Sequence, residues 1–279
     1  MGPIRSIGLQ LDSLSDDSPS GDFPMSLSTM RFPLALPNDS WQKRDVHTTT
    51  LYQFELCPFC HKVRAALEAK GIAFETVEVN PMTKKELPEL DSNVRRKVPV
   101  LQIDGEFIAD STEILNHLET RDASLTPSGD AKAKSDMIEQ WTDDDLAQVL
   151  PAVIYGTWRD AARAAKVVAR TSNFGFVQNA VVRGGGSLIM HQVAKKISAR
   201  RGGGKPKEML AAEMDKFEDW LADQRFVCGD ELSVGDIAAH GCLTCIRDFP
   251  AFADIMKRPR VAAWFARVQE VRDTNRVAN

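Results

Sequence analysis

The chain has 279 residues, a formal net charge of −4 and ordinary apolar and charged fractions, enough to bury its own core without disulfide or metal staples. The small negative charge excludes whole-molecule attraction to nucleic acid or anionic lipid. Five cysteines, an odd number at low density, argue against a secreted disulfide scaffold and for a reducing, cytoplasmic compartment, and no apolar run is long enough for a transmembrane segment.

Residues 1–46 are rich in Ser, Pro, Asp and Gly and lack the charged-then-apolar order of a signal peptide, so they read as a flexible tail. Residues 47–121 read as a small α/β domain. "TTTLYQF" is β-branched and aromatic, a buried strand. Cys57 ends a short loop, and Pro58 suits a first helical position, where a missing N–H costs nothing. "FCHKVRAALEAKG" follows as a helix with Val63, Ala66 and Leu67 on one face and Gly71 as its stop. "AFETVEV" alternates as a second strand. A further short helix is allowed in "NPMTKKELPEL", and "KVPVLQIDGEFIAD" gives two strands joined at Asp104-Gly105. A helix opens at Ser111, its N-cap, with Ile114, Leu115 and Leu118 inward. The expected order is β-α-β-(α)-β-β-α.

After a turn-rich linker, every strong periodicity over residues 130–276 is helical. "AKAKSDMIEQWTDDDLAQVL" and "AVIYGTWRDAARAAKVVAR" are long candidates. "FVQNAVVRGGGSLIMHQVAKKISAR" is another, interrupted at Gly184–Gly186, and three more candidates close the chain. Strands followed by helices predict an α/β domain joined to an all-α one. The Gly triplets read as flexible connections, with a substrate pocket or dimer contact as the alternative. The basic end Lys195–Arg201 reads as a solvated face, with peripheral contact to a membrane surface as its alternative.

Cys57-Pro58-Phe59-Cys60 carries the chemistry. A cysteine at a helix N-terminus meets unpaired N–H groups and the positive end of the dipole, which favour a thiolate. Cys60, one turn on, is placed to resolve a mixed disulfide on Cys57, and Lys62 and Arg64 are expected to add positive potential. His61 is expected on the helix surface. A structural zinc site needs four ligands, and a second C-x-x-C, Cys242 to Cys245, could complete one. That pair lies in an apolar helical pattern, where cysteine serves as a small buried hydrophobe.

Two further pairs matter. A cis proline at Val98-Pro99 would leave the Val98 backbone open to dock an extended peptide. Asp110-Ser111 opens a helix whose N–H groups can hold a carboxylate. Thiolate, docking backbone and carboxylate-binding helix end together suit a tripeptide thiol with a free α-carboxylate. Ser233 and Asp236 read as a structural capping box.

The order CPFC, "RKVPVL", "ADS" and then an all-helical domain resembles the glutathione transferase superfamily. From "LYQFELCPFCHKVRAALEAKGIAFETVEVNP" through "NFGFVQNAVV", "LSVGDIAAHG" and "RPRVAAWF", the chain is similar almost position by position to its prostaglandin E synthase type 2 family. The resemblance implies a thioredoxin/glutaredoxin-like, glutathione-binding first domain and an all-α glutathione-transferase-type second domain. It implies Cys57 as the reactive thiol with Cys60 as its partner, and glutathione contacts at Phe59, Lys97, Val98, Pro99, Asp110 and Ser111. It further implies a transferase or thiol oxidoreductase taking a small hydrophobic, disulfide or peroxide substrate, an endoperoxide isomerase as one version, haem bound with glutathione, and a homodimer. Animal members carry a hydrophobic anchor that this sequence lacks. They also have a Tyr three positions before the reactive cysteine. Here that position is Phe54, which has no donor, so the resemblance bears on general thiol chemistry more than on isomerisation. The alternatives are a non-enzymatic haem- and glutathione-binding redox sensor and a zinc-stabilised scaffold using both C-x-x-C pairs.

Overall fold

The computed structural model describes residues 48–276 apart from 93, 122–123, 172–198 and 200–202. The N-terminal tail, the Gly184–Gly186 segment and most of the basic Lys195–Arg201 stretch lie outside the described residues.

Four short strands, β1 (Thr50–Gln53), β2 (Glu75–Glu78), β3 (Val100–Ile103) and β4 (Glu106–Ala109), form one sheet in the order β2-β1-β3-β4. β1 and β2 run parallel, joined by helix α1 (Pro58–Ala69), whereas β3 and β4 are antiparallel neighbours. Leu51 faces Leu101, which faces Ile108. The side chains of Leu51, Leu101 and Ile103 pack with Val63 and Leu67 of α1 and with Ile114 and Leu118 of α2 (Ser111–Glu119). Val79, Leu87 and Val100 form a smaller core of their own. The hairpin turns at Asp104 and Gly105, with φ of 51° and 85°, the two left-handed positions a tight primed turn requires. This is the thioredoxin-like arrangement the sequence predicts, with one correction. The segment between β2 and β3 forms turns and no helix among its described residues; Pro81 and Pro88 punctuate it.

The helical part begins with α3 (Asp130–Trp141), which passes through a π-helical turn (Thr142–Leu146) into α4 (Ala147–Tyr155). The helix expected over "AVIYGTWRDAARAAKVVAR" is broken, because α4 ends at Tyr155 and α5 (Trp158–Thr171) starts after Gly156-Thr157. There Thr157 Oγ1 accepts from the Asp160 N–H at 3.1 Å and caps the new helix. Then follow α6 (Pro206–Leu221), α7 (Val234–Thr244), the short α8 (Pro250–Ile255) and α9 (Pro259–Asn275). Trp141 stacks on Phe217, and the Trp264 ring meets Phe217 edge-on at 4.6 Å.

α1 is common to both halves. α7 crosses it so closely that a methyl group added to Gly241 would sit 2.7 Å from the His61 carbonyl oxygen and from the Lys62 Cα. Only glycine permits that approach. Ten of the twelve residues of α1 are buried as a result.

Candidate active site

The loop after β1 delivers Cys57 to the N-cap of α1, with Pro58 as the first helical residue. Cys57 is half-buried and Cys60 fully buried; both are free thiols. The Cys60 Sγ–H donates to the Cys57 sulfur, and the N–H groups of Cys60 and Phe59 point the same way; together they outweigh burial and lower the Cys57 pKa. Burial, with the adjoining Cys57 sulfur, pushes the Cys60 thiol well up. Of the two, Cys57 is therefore the more acidic thiol and Cys60 the one that keeps its proton to higher pH, the order that an attacking and a resolving thiol need.

Lys62 and Arg64 do not supply this effect as expected. The Lys62 side chain is fully buried and its ammonium meets Asp143 and Glu139. Arg64 is held by Gln53 Oε1 and Glu55. His61 is likewise not on the surface. It is 6 % exposed, with Nε2 2.7 Å from the Glu55 carbonyl oxygen and Nδ1 3.0 Å from Thr244 Oγ1. Both follow from α7 covering the face that a lone β-α-β unit would leave in water.

Val98-Pro99 is a cis peptide bond. Among the described residues the Val98 N–H and C=O take part in no backbone hydrogen bond. Asp110, not Ser111, caps α2; its Oδ1 accepts from the Thr112 N–H at 2.9 Å. Ser111 is the first helical residue and is buried. Asp110 holds a φ of 81°, a conformation that a non-glycine residue keeps only where its surroundings fix it. Phe59, Lys97, Val98, Pro99, Asp110 and Ser111 line one cavity of about 530 Å³, together with Arg95, Thr112, Asp143, Asp144 and Gln148. The three residues from the π-helical turn and α4 were not legible in the sequence. The only signal was the run Asp143-Asp144-Asp145 inside an apolar helical pattern.

A second cavity, of about 900 Å³, lies along the other side of α1, lined by Glu55, Leu56, His61, Arg64, Cys245, Phe249 and Arg247 among others. Tyr155, at the end of α4, is buried, and burial together with Cys245 and Cys57 raises its hydroxyl pKa. A phenol proton from the helical half thus shares the electrostatic surroundings of the thiolate. Cys242 and Cys245 are buried in α7, with Cys242 Sγ donating to the Pro58 carbonyl at 3.5 Å. Among the described residues no group of three or more His, Cys, Asp or Glu side chains could hold a metal ion.

Ser233 and Asp236 form a complete capping box at the start of α7. The Asp236 carboxylate also accepts from the Val227 N–H at 2.9 Å and from the Trp264 indole at 2.7 Å.

Residues 51–127 match the family model for the glutathione S-transferase N-terminal domain, and residues 205–270 match the one for its C-terminal domain. With the sheet and helical halves described above, the chain belongs to the glutathione S-transferase superfamily. It is 26% identical over 274 residues to prostaglandin E synthase 2 of Danio rerio, an alignment spanning 79% of this chain and 70% of that one. It is 34% identical over 68 residues to glutaredoxin 1 of Rickettsia conorii, spanning 24% of this chain and 67% of that one. The structure of a glutathione S-transferase from Methylobacillus flagellatus with glutathione bound superposes with a TM-score of 0.51 at 20% identity, covering 83% of this chain and all of that one. No helix among the described residues is long and apolar enough to cross a membrane.

Proposed function

We propose that the chain is a glutathione-dependent thiol transferase or oxidoreductase in which Cys57 is the nucleophile. The observation that carries this reading is the lowered Cys57 pKa at the start of α1, with the cis Val98-Pro99 bond and the Asp110-Ser111 helix end lining one cavity nearby. That cavity has carboxylates from Asp110 and Asp144 and cations from Arg95 and Lys97. Walls of both signs fit a tripeptide that bears an ammonium and two carboxylates. The Val98 backbone would pair with its cysteinyl unit and the start of α2 would hold its γ-glutamyl end.

In disulfide reduction the Cys57 thiolate attacks one sulfur of the substrate. A new S–S bond forms, the old one breaks, and the departing thiolate takes a proton from water. Cys60, once deprotonated, then attacks the Cys57 sulfur, which frees the second substrate thiolate and leaves a Cys57–Cys60 disulfide for glutathione to reduce. Where the sulfur held on Cys57 is glutathione's own, a second glutathione thiolate attacks that outer sulfur, frees the Cys57 thiolate and leaves as glutathione disulfide. A peroxide can replace the disulfide in the first step: its O–O bond breaks, an alcohol or water leaves, and the Cys57 sulfenic acid is reduced by glutathione. An electrophile is taken by the thiolate of glutathione held beside Cys57, and the conjugate leaves. Endoperoxide isomerisation is a second reading, favoured by the similarity to prostaglandin E synthase 2. Phe54 gives it no donor.

Haem does not fit this cavity. Its walls carry Arg95, Lys97, Asp110, Asp143 and Asp144, which suit a small zwitterion better than the flat apolar face of a porphyrin.

The test is a panel of disulfide reduction, electrophile conjugation and endoperoxide isomerisation on wild type, Cys57→Ser and Cys60→Ser. Loss of every activity in Cys57→Ser, with partial activity in Cys60→Ser, is expected; unchanged turnover in Cys57→Ser would sink the reading. We further propose a homodimer located in the cytoplasm, the first of which sedimentation at graded concentrations would check.

A further inference from the structure

Lys62 is a charged group at 0 % exposure that the thiol chemistry does not use. Its ammonium donates to Asp143 Oδ1 and Oδ2 at 2.9 and 2.8 Å, stands 2.9 Å from Glu139 Oε1 and lies 3.4 Å from Thr112 Oγ1. Thr112 Oγ1 in turn donates to Asp143 Oδ2 at 3.0 Å, while its N–H donates to Asp110. Four elements meet at this one cation: α1, which follows Cys57; the start of α2; the end of α3, through Glu139; and the π-helical turn. Widened turns of this kind occur mostly where a helix must redirect a side chain at a functional site, and this one bears Asp143.

We propose that Lys62, Asp143 and Thr112 are positioning residues that hold the start of α2 at a fixed distance from Cys57, and so set the affinity for the γ-glutamyl end of glutathione. The inference rests on the glutathione reading above. Its physical basis is geometric. The Thr112 hydroxyl is held from outside α2 by Asp143 and by Lys62, so α2 cannot slide along the sheet without breaking a hydrogen bond. Asp143 cannot follow such a slide without leaving Lys62 only one of its two buried carboxylate partners. Lys62 stands only five residues beyond Cys57 on the same helix, and the link from thiol to helix end is therefore short and stiff. A ligand that bridges the two ends binds to a site whose span is set beforehand, which lowers its ordering cost.

The experiment uses the full chain with Thr112→Val, Asp143→Asn, both together, and Lys62→Met. Three quantities are read: the dissociation constant for glutathione, the Cys57 thiolate titration and the thermal midpoint. Each single variant is expected to weaken glutathione binding on the order of tenfold, the loss of one charge-assisted bond. The double variant should bind no more weakly than Asp143→Asn, since both act through one link. In Thr112→Val the thiol titration should match wild type and the midpoint should fall only slightly, while glutathione affinity falls, a pattern that a merely structural role would not give. Thr112 is only half-buried, so Thr112→Val decides alone if the other variants fail to fold. Wild-type affinity in Thr112→Val, or additive losses in the pair, overturns the relay and leaves the glutathione reading standing. A wild type that does not bind glutathione overturns both.

Discussion

Arg272 of α9 donates to the Glu68 carboxylate of α1 through Nε and Nη2, at 2.9 and 2.5 Å, and both side chains are at most 5 % exposed. Arg276 reaches the other Glu68 oxygen at 2.7 Å, and Arg272 Nη1 lies 2.9 Å from His240 Nδ1. The last helix of the chain is thus clamped to the helix that presents the thiol.

Removing one partner of this pair leaves a charge buried without its counterpart. Glu68→Ala should cost about 3–5 kcal/mol of stability, whereas Glu68→Gln with Arg272→Met should cost clearly less than the sum of the two single changes. Denaturant unfolding of the four proteins measures this. Equal and additive costs would show that the clamp is not a coupled pair.

Cys60→Ala deletes the donor that most strongly lowers the Cys57 pKa. The Cys57 pKa should rise, and reaction with a small alkylating reagent at neutral pH should slow. Ultraviolet titration of the thiolate reads the shift directly. An unchanged Cys57 pKa in Cys60→Ala would assign the stabilisation to the backbone N–H groups alone.

His61 gives the protein an acid limit. Burial, aided by Arg64, lowers its pKa from 6.5 to about 3. The unfolded chain takes up this proton near 6.5 and the folded chain only near 3, so the folded state binds fewer protons between them. Its contribution is therefore complete above 6.5 and shrinks as pH falls towards 3, by about 1.4 kcal/mol per unit. His61→Gln should flatten the stability profile across that window, although His240, also held far below its usual pKa by burial, keeps part of the slope. A profile as steep as wild type would mean that His61 is not the group titrating.

Asp236→Ala removes the acceptor for Ser233, Val227 and Trp264 at once. With the box lost and buried donors unpaired, about 3 kcal/mol or more of stability should go. The Cys57 titration should not move, because Asp236 is not among the groups that shift it. A shifted thiol pKa would give Asp236 a part in the site.

The strands, the Pro58 start of α1, the hairpin at Asp104-Gly105 and the capping box were all legible in the sequence, since each rests on local chemistry within a few residues. His61 and Lys62 were not. Their spacing says surface if α1 has one buried face, and only the tertiary approach of Gly241 gives it two. The N-cap of α2 was misread by one residue for a related reason. Asp110 and Ser111 are equally good caps by propensity, and it is the left-handed φ at Asp110 that turns its carboxylate onto Thr112. The π-helical turn leaves no trace in a periodicity count, because an extra residue per turn looks like ordinary drift.

The described residues from Thr48 to Arg276 form a single compact unit, and α1 is the reason. Because sheet and helices share that one element, melting should be cooperative, with no stage at which the helices persist without the sheet. A small thiol captured at the start of α1 then raises the melting temperature of helices it never touches. By mass action, ligand at a hundred times its dissociation constant adds about 2.7 kcal/mol to the whole fold. On the proposed glutathione reading, the concentration of reduced glutathione therefore bears on the stability of the whole fold as well as on turnover.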